Sequence, residues 1–332
     1  MVLTTASVIP YLVDRRLLTV EELLNEPMEA LAFVSRNRGF RVSFSTGHGV
    51  RRGWWVKQVK QWDRSGIESF EQEARCYWLA REQAEFAVLG EVLPRCEIYD
   101  PEPRILVLEL IWTPAAVVEA TGAAALGKAM RRYQEGIGAA AARQAGFRSE
   151  VPWALTLAEP HEARAKRTSQ GNRALLDILQ RYPDFAPALR QLRRDWRGVE
   201  AKAFVHGDMK LENCLVKGER VWLLDWEMAA WGDPAWDAGG LLQSYWTQWI
   251  GGRASQDDVR VASRAFWNAY AAGEDPARLE QTVRYAAARM IQTAWERLPR
   301  SPGLRDDALK MLQLSQNVFQ NPLRAVEELV AS

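Results

Sequence analysis

The sequence predicts an α+β chain in two lobes, a small N-terminal antiparallel β lobe with one helix and a larger, mostly helical C-terminal lobe. Three observations carry this. Short strand patterns, apolar or alternating, crowd the first 112 residues. Helical periodicity dominates from residue 113 onward. One predicted hairpin, running from Phe204 to Trp226, interrupts the helices and carries a compact polar loop. With 332 residues the chain can bury a substantial core in two domains, expected at 1–112 and 113–332.

Residues 6–25 suggest two short helices, the second opening at a Thr19 cap, packed on the outside of the first lobe. Residues 31–34 and 40–44 read as strands, joined by the turn Ser35-Arg36-Asn37-Arg38-Gly39. A turn-rich loop with His48 leads to a third strand at 54–59, and Lys57 lies inside it. An unpaired ammonium is costly to bury, so Lys57 either takes an anionic partner or faces solvent on an edge strand. The following helix, 67–83, offers Glu68, Glu71 and Glu73, and helical phase does not separate Glu71 from Glu73. Residues 104–112 form an apolar strand broken by Glu109, with Pro114 as a boundary signal. Beyond it, Ala115–Arg143 reads as a core helix, a second helix carries Leu175, Leu176, Ile178 and Leu179, and another starts near Ala235. The tail, 254–332, reads as three or four helices whose aromatic residues belong to the core.

The chemistry concentrates in the hairpin. Phe204-Val205 and Val221-Trp222-Leu223-Leu224 flank the loop His206-Gly207-Asp208-Met209-Lys210-Leu211-Glu212-Asn213, with Lys217-Gly218-Glu219-Arg220 as the tight turn. Asp208, Lys210 and Asn213 thus share one loop, and Asp225 arrives from the end of a strand. Phosphoryl transfer needs such parts, because a transferring phosphoryl group carries spread negative charge that a protein positions and neutralises with hard Mg²⁺ ions on carboxylate and amide oxygens. Asn213 and Asp225 supply those oxygens, Asp208 is placed to orient an incoming hydroxyl, and Lys210 to meet phosphate as a point charge.

His206-Gly207-Asp208 with Asn213, followed by Asp225-Trp226-Glu227, resembles the aminoglycoside phosphotransferase and choline kinase-like family, which has the protein-kinase-like fold. The spacing from Asp208 to Asn213 matches H-R-D-x-x-x-x-N, and the Gly in place of Arg favours the small-molecule branch. Gly232-Asp233-Pro234-Ala235-Trp236-Asp237 is similar to the family's next element, whose last Asp braces the catalytic loop. The resemblance implies an ATP- and Mg²⁺-dependent kinase. Asp208 and Lys210 would be catalytic, Asn213 and Asp225 would hold metal, and Glu227 would be a second metal ligand or a loop brace. Lys57 would anchor phosphates with Glu73, which suits the family's helix pattern better than Glu71. The turn with Arg36 and Asn37 would cover the phosphates or be an ordinary hairpin turn, since it has only Gly39 of the glycine-rich form. Adenine would bond to backbone near Glu109, Leu110 and Ile111, on the strand entering the hinge. His206 is expected to be structural, as are Asp233 and Asp237, while Cys214 packs inward and His48 and His161 are incidental.

A net charge of +1 with 26% charged residues implies no nucleic-acid footprint, and no apolar run is long enough to span a membrane. Three cysteines without metal-ligand spacing fit a reduced, cytoplasmic setting. The balanced charge and the basic 162–173 segment do not announce a cleft for polycationic drugs. The leading helices, the Ser35-Arg36-Asn37 turn and Val56-Lys57-Gln58 also look similar to kinase-like proteins of modified-peptide biosynthesis, which would make the acceptor a Ser or Thr of a precursor peptide and a lyase the partner. A third reading is a catalytically silent binding partner of the same fold, against which Lys57, Asp208, Asn213 and Asp225 together argue.

Overall fold

The computed structural model describes residues 1–34, 36–46, 49–113, 118–159, 169–200, 202–271, 273 and 275–330. Ser35, His48, Pro114, His161 and the start of the basic segment, 162–168, fall outside them. The chain divides into two compact units, Met1–Pro114 with Trp222–Met228, and Ala115–Val221 with Ala229–Ser332.

The first unit is built on a five-stranded antiparallel sheet in the order β1-β2-β3-β5-β4. Its strands are β1 (Met28–Val34), β2 (Arg38–Thr46), β3 (Gly49–Gln58), β4 (Cys96–Asp100) and β5 (Ile105–Glu109). Side chains alternate across a strand, so each face has its own set. Phe40, Val42 and Phe44 of β2, Trp54 and Val56 of β3, and Ile105 and Val107 of β5 join Val8, Tyr11 and Leu12 of helix α1 (Thr5–Asp14) in one apolar cluster. The alternation therefore sends Lys57 to the opposite face. Thr4 and Thr19 cap α1 and the short α2 (Val20–Asn25), each with a reciprocal capping box. Helix α3 (Arg64–Glu82) starts at an Asp63 cap and buries Phe70, Glu73, Cys76 and Leu79 on one side.

β4 has no counterpart in the sequence reading. Its five residues, Cys-Glu-Ile-Tyr-Asp, are all half-buried and include two acids, so neither alternation nor an apolar run marks it. β5 also ends at Glu109, short of the expected Trp112, which is exposed.

The second unit is mainly helical. Helix α4 (Ala120–Gly136) and the short α5 (Ala139–Gln144) replace the single helix expected over 115–143, and the chain breaks at Ile137, whose φ of −109° and ψ of 106° are extended. α6 (Gln170–Arg181) and α7 (Phe185–Gly198) follow. α7 was not anticipated, although Phe185, Leu189, Leu192 and Trp196 repeat at helical spacing. α8 (Ala235–Ile250) is buried along most of its length, and α9 (Gln256–Tyr270), α10 (Pro276–Glu296), α11 (Asp306–Gln320) and α12 (Pro322–Leu329) complete the tail. α10 packs on α8 and α11, and α9 on α4. Two small ribbons punctuate these helices: β6 (Ala203–Val205) with β9 (Ala230–Gly232), and the hairpin β7 (Cys214–Lys217) with β8 (Arg220–Leu223). Among the described residues, no helix is long and apolar enough to cross a membrane.

Candidate active site

In the first unit, Lys57 is the centre of a three-charge cluster. Its Nζ lies 2.7 Å and 3.0 Å from the two oxygens of Glu73 and 2.9 Å from Asp225 Oδ1. Glu71, the other candidate partner, instead accepts from Arg104. The Lys57 side chain is 13% exposed, that of Glu73 is sealed from solvent, and that of Asp225 is 36% exposed. Burial works against the Lys57 charge, but Glu73 and Asp225 outweigh it and raise the ammonium above its usual range. Two carboxylates share one ammonium, and the more buried of them bears the excess. Burial pushes Glu73 up to about 7 against the attraction of Lys57, with Asp225 adding to the rise.

Asp225 follows β8 with φ at +68°, a left-handed conformation that a non-glycine residue adopts at a cost of order 1–3 kcal/mol. The residues after it hold that turn. Trp226 is fully buried and its Nε1 donates to Leu223 O at 2.9 Å. Glu227 accepts from Arg36 at 3.1 Å and from Ser69 at 3.1 Å, and its backbone carbonyl accepts from Gln72 of α3 at 3.2 Å. Both Glu227 oxygens are thus engaged by side chains that tie the turn to α3 and to the residue entering β2. Burial raises the Glu227 carboxyl, with Asp225 adding to the effect. Asn37 is buried beside Arg36. Glu109 uses its amide to donate to Arg95 O and its carboxylate to accept from Arg95 N, both at 2.9 Å, and Leu110 N donates to Gly53 O. The amides of Glu109 and Leu110 are therefore committed within this unit.

In the second unit the polar loop is clamped by helices. Asp237, in the first turn of α8, accepts from the amides of His206 (2.6 Å) and Gly207 (2.9 Å) and from Tyr133 Oη (2.9 Å). Gly207 has φ of +82°, so its left-handed turn is accessible without strain. Trp236 Nε1 donates to Gly207 O at 3.0 Å, and buried His206 accepts from Asp208 N through Nδ1 at 3.3 Å. Asp233 accepts from Ala235 N and Tyr285 Oη, both at 3.0 Å. Asn213 Nδ2 donates to Asp208 O at 2.9 Å, which turns its oxygen away from that carbonyl. Cys214 is buried with its thiol on Lys210 O.

Asp208 itself sits between two cations. Lys210 Nζ is 2.5 Å from Oδ2, and Arg289 Nη2 is 2.9 Å from Oδ1. Burial raises the Asp208 carboxyl, but Arg289 and then Lys210 outweigh it and hold the group at about 2. Lys210 is raised in turn, burial opposing and Asp208 prevailing. Arg289 was missed in the sequence because it lies 81 residues beyond Asp208 in a helix with no motif around it.

Close packing fixes where the loop can rest. A Cβ added to Gly240 of α8 would meet Met209 O at 2.3 Å, an impossible contact with the loop backbone. Gly240→Ala is expected to push the loop off Asp237 and lower stability by about 1–3 kcal/mol. Thermal unfolding checks this, and an unchanged Tm would show that the loop yields freely.

Among the described residues no three His, Cys, Asp or Glu side chains form a ready metal cage. Mg²⁺ needs no such cage, being commonly held by one or two carboxylates together with substrate phosphates. The partly exposed Asp225 carboxylate and the amide oxygen of Asn213 are donors of the right hardness.

A family model described as the phosphotransferase enzyme family matches residues 59–281, while no curated protein matches the chain. Among solved structures, a choline/ethanolamine kinase family protein from Mesorhizobium loti aligns with TM-score 0.60 and 18% identity, covering 96% of each chain. A macrolide 2′-phosphotransferase from Brachybacterium faecium aligns with TM-score 0.51 and 17% identity over 95% of this chain and 98% of that one. An aminoglycoside phosphotransferase in ternary complex with ADP and hygromycin B aligns with TM-score 0.53 and 15% identity over the same shares. With 223 of its 332 residues inside the family match, the chain belongs to the phosphotransferase enzyme family, in which aminoglycoside phosphotransferases and choline kinases share the protein-kinase-like fold.

Proposed function

We propose that the protein is an ATP-dependent phosphotransferase that moves the γ-phosphate to a hydroxyl group of a small molecule. The observation that carries this is Lys57, held at once by buried Glu73 and by Asp225 on a left-handed turn. One ammonium between two carboxylates leaves an excess of negative charge, which is costly to keep unless a cation such as the Mg²⁺ of a bound nucleotide offsets it. In this reading residues 1–112 bind nucleotide and residues 113–332 present the catalytic loop and receive the acceptor. Bound ATP with Mg²⁺ would supply the transferable group and neutralise its charge, with Asn213 and Asp225 as metal ligands.

The chain's own residues do the rest. Lys57 would turn from Asp225 to the phosphates while Glu73 keeps it fixed, and Lys210 would leave Asp208 for the transferring phosphate. Asp208, ionised throughout the physiological range, accepts the hydrogen bond of the incoming hydroxyl and aligns it. Glu227, engaged by Arg36 and Ser69, braces the Asp225 turn. The relatives named for choline, ethanolamine, macrolides and hygromycin B support a small-molecule acceptor.

The test is transfer of label from γ-labelled ATP with Mg²⁺, using purified protein and fractionated extract of the source cell as acceptor. Label arriving on a discrete small molecule is the expected result. Nucleotide binding without any labelled product above background would overturn the proposal.

A further inference from the structure

We propose that Arg289 is a positioning residue of the catalytic loop, a fixed clamp on one oxygen of Asp208 that leaves the other oxygen, now bonded to Lys210, as the one offered to the acceptor. The two cations on Asp208 are built differently. The Arg289 side chain is 4% exposed. Its Nη2 bridges Asp208 Oδ1 (2.9 Å) and Met209 O (3.1 Å), and its Nη1 donates to Gln292 Oε1 (3.1 Å). The guanidinium carbon lies 5.3 Å from the centre of the Trp236 ring, the same ring whose Nε1 holds Gly207 O. Backbone, carboxylate, aromatic face and a neighbouring amide thus fix a rigid planar group on the rigid helix α10.

Lys210 has none of that fixity. It sits on the loop itself, two residues from Asp208, with its side chain 31% exposed on a flexible stem. Releasing a partly exposed ammonium to water or phosphate costs less than releasing a buried guanidinium, which strands a charge. Gln292 extends the track by donating to Glu296 at 2.9 Å, and Glu296 adds to the negative field on Lys210. When nucleotide phosphate draws Lys210 away, Oδ2 is therefore vacated and Oδ1 is not. The carboxylate keeps its rotamer at the moment the hydroxyl arrives.

This inference rests on the kinase reading, and the experiment separates the two. Unfolding midpoints of Asp208→Asn, Arg289→Met, Lys210→Met and the two double variants would be measured without ligand and with Mg²⁺ and a non-hydrolysable ATP analogue. Arg289→Lys is the fallback should Arg289→Met not fold. The expected result is non-additivity for Arg289 with Asp208 in both conditions, and for Lys210 with Asp208 only without nucleotide. Additive Arg289 and Asp208 effects, or a Lys210 coupling that persists undiminished with nucleotide, would overturn the clamp. A wild-type midpoint that the analogue fails to raise counts against the kinase reading instead, and the ligand-free coupling still decides for or against Arg289. In turnover with ATP, the slow transfer to water serves as probe. Arg289→Lys is expected to lower kcat by about 10²-fold with KM for ATP unchanged, as for a misplaced reacting group. A purely structural loss would instead lower Tm and the active fraction, leaving kcat per active molecule intact, and that outcome too overturns the proposal.

Discussion

Lys57→Met is expected to abolish phosphoryl transfer and, at pH values high enough to force Glu73 to ionise, to destabilise the protein by up to about 3–5 kcal/mol, the cost of breaking a buried ion pair by removing one partner. Glu73 has no exposed surface and would be left with its charge uncompensated, whereas Asp225 is open enough for water to serve it. The loss should depend on pH in a definite direction. The folded Glu73 carboxyl already lies at about 7, above its ordinary 4.5, and without Lys57 it rises further. A group whose folded pKa is raised contributes its stability below the unfolded value and loses it as pH rises through the folded one. The variant should therefore be close to wild type at pH 5 and show a penalty that grows as pH rises above about 7, already measurable at pH 8. Urea unfolding at the two values checks this. Lys57→Met with Glu73→Gln should recover stability at pH 8 but not activity. Equal penalties at both pH values would mean that Glu73 is not the stranded charge.

The parts of this molecule that could be read in the sequence are those whose cause is local. Thr19 caps a helix because its hydroxyl meets an amide three residues on, and the Lys217–Arg220 turn closes because Gly218 takes a positive φ without strain. Asp208, Asn213 and Asp225 announced themselves because one loop and one hairpin fix their spacing, and Lys57 because a charge in an apolar strand demands an explanation. Helical phase alone did not choose between Glu71 and Glu73. The choice depends on which face of α3 meets the sheet, and Arg104 on β5's approach takes Glu71. β4 was illegible because it is half-buried throughout and two of its five residues are acids, so its membership in the sheet comes from β5 beside it. Arg289 was illegible for a stronger reason. Its partner is 81 residues away, and among the arginines of a helical tail only packing on α8 and Trp236 singles it out.

Asp208→Ala is expected to reduce kcat by about 10²–10⁴-fold while binding of Mg²⁺ with nucleotide survives. The separation follows from where its contacts lie. Asp208 is bonded to Lys210, Arg289 and Asn213, whereas the proposed phosphate anchor is the Lys57 ammonium on Glu73 and Asp225, so that anchor should be intact in the variant. Calorimetry with a non-hydrolysable analogue, run beside single-turnover transfer from γ-labelled ATP, reads the two quantities independently. The pH dependence identifies what kind of help Asp208 gives. Held at about 2 in the folded protein, it is ionised well below neutral pH and binds a proton too weakly to store one between steps. The wild-type kcat should thus show no acid limb from this residue above about pH 4. On the proposed function, alignment of the hydroxyl would then be its contribution, and the proton would leave late, toward solvent or the phosphate. An acid limb near neutrality that vanishes in Asp208→Asn would instead make Asp208 a base of raised pKa, reached only after both Lys210 and Arg289 have let it go.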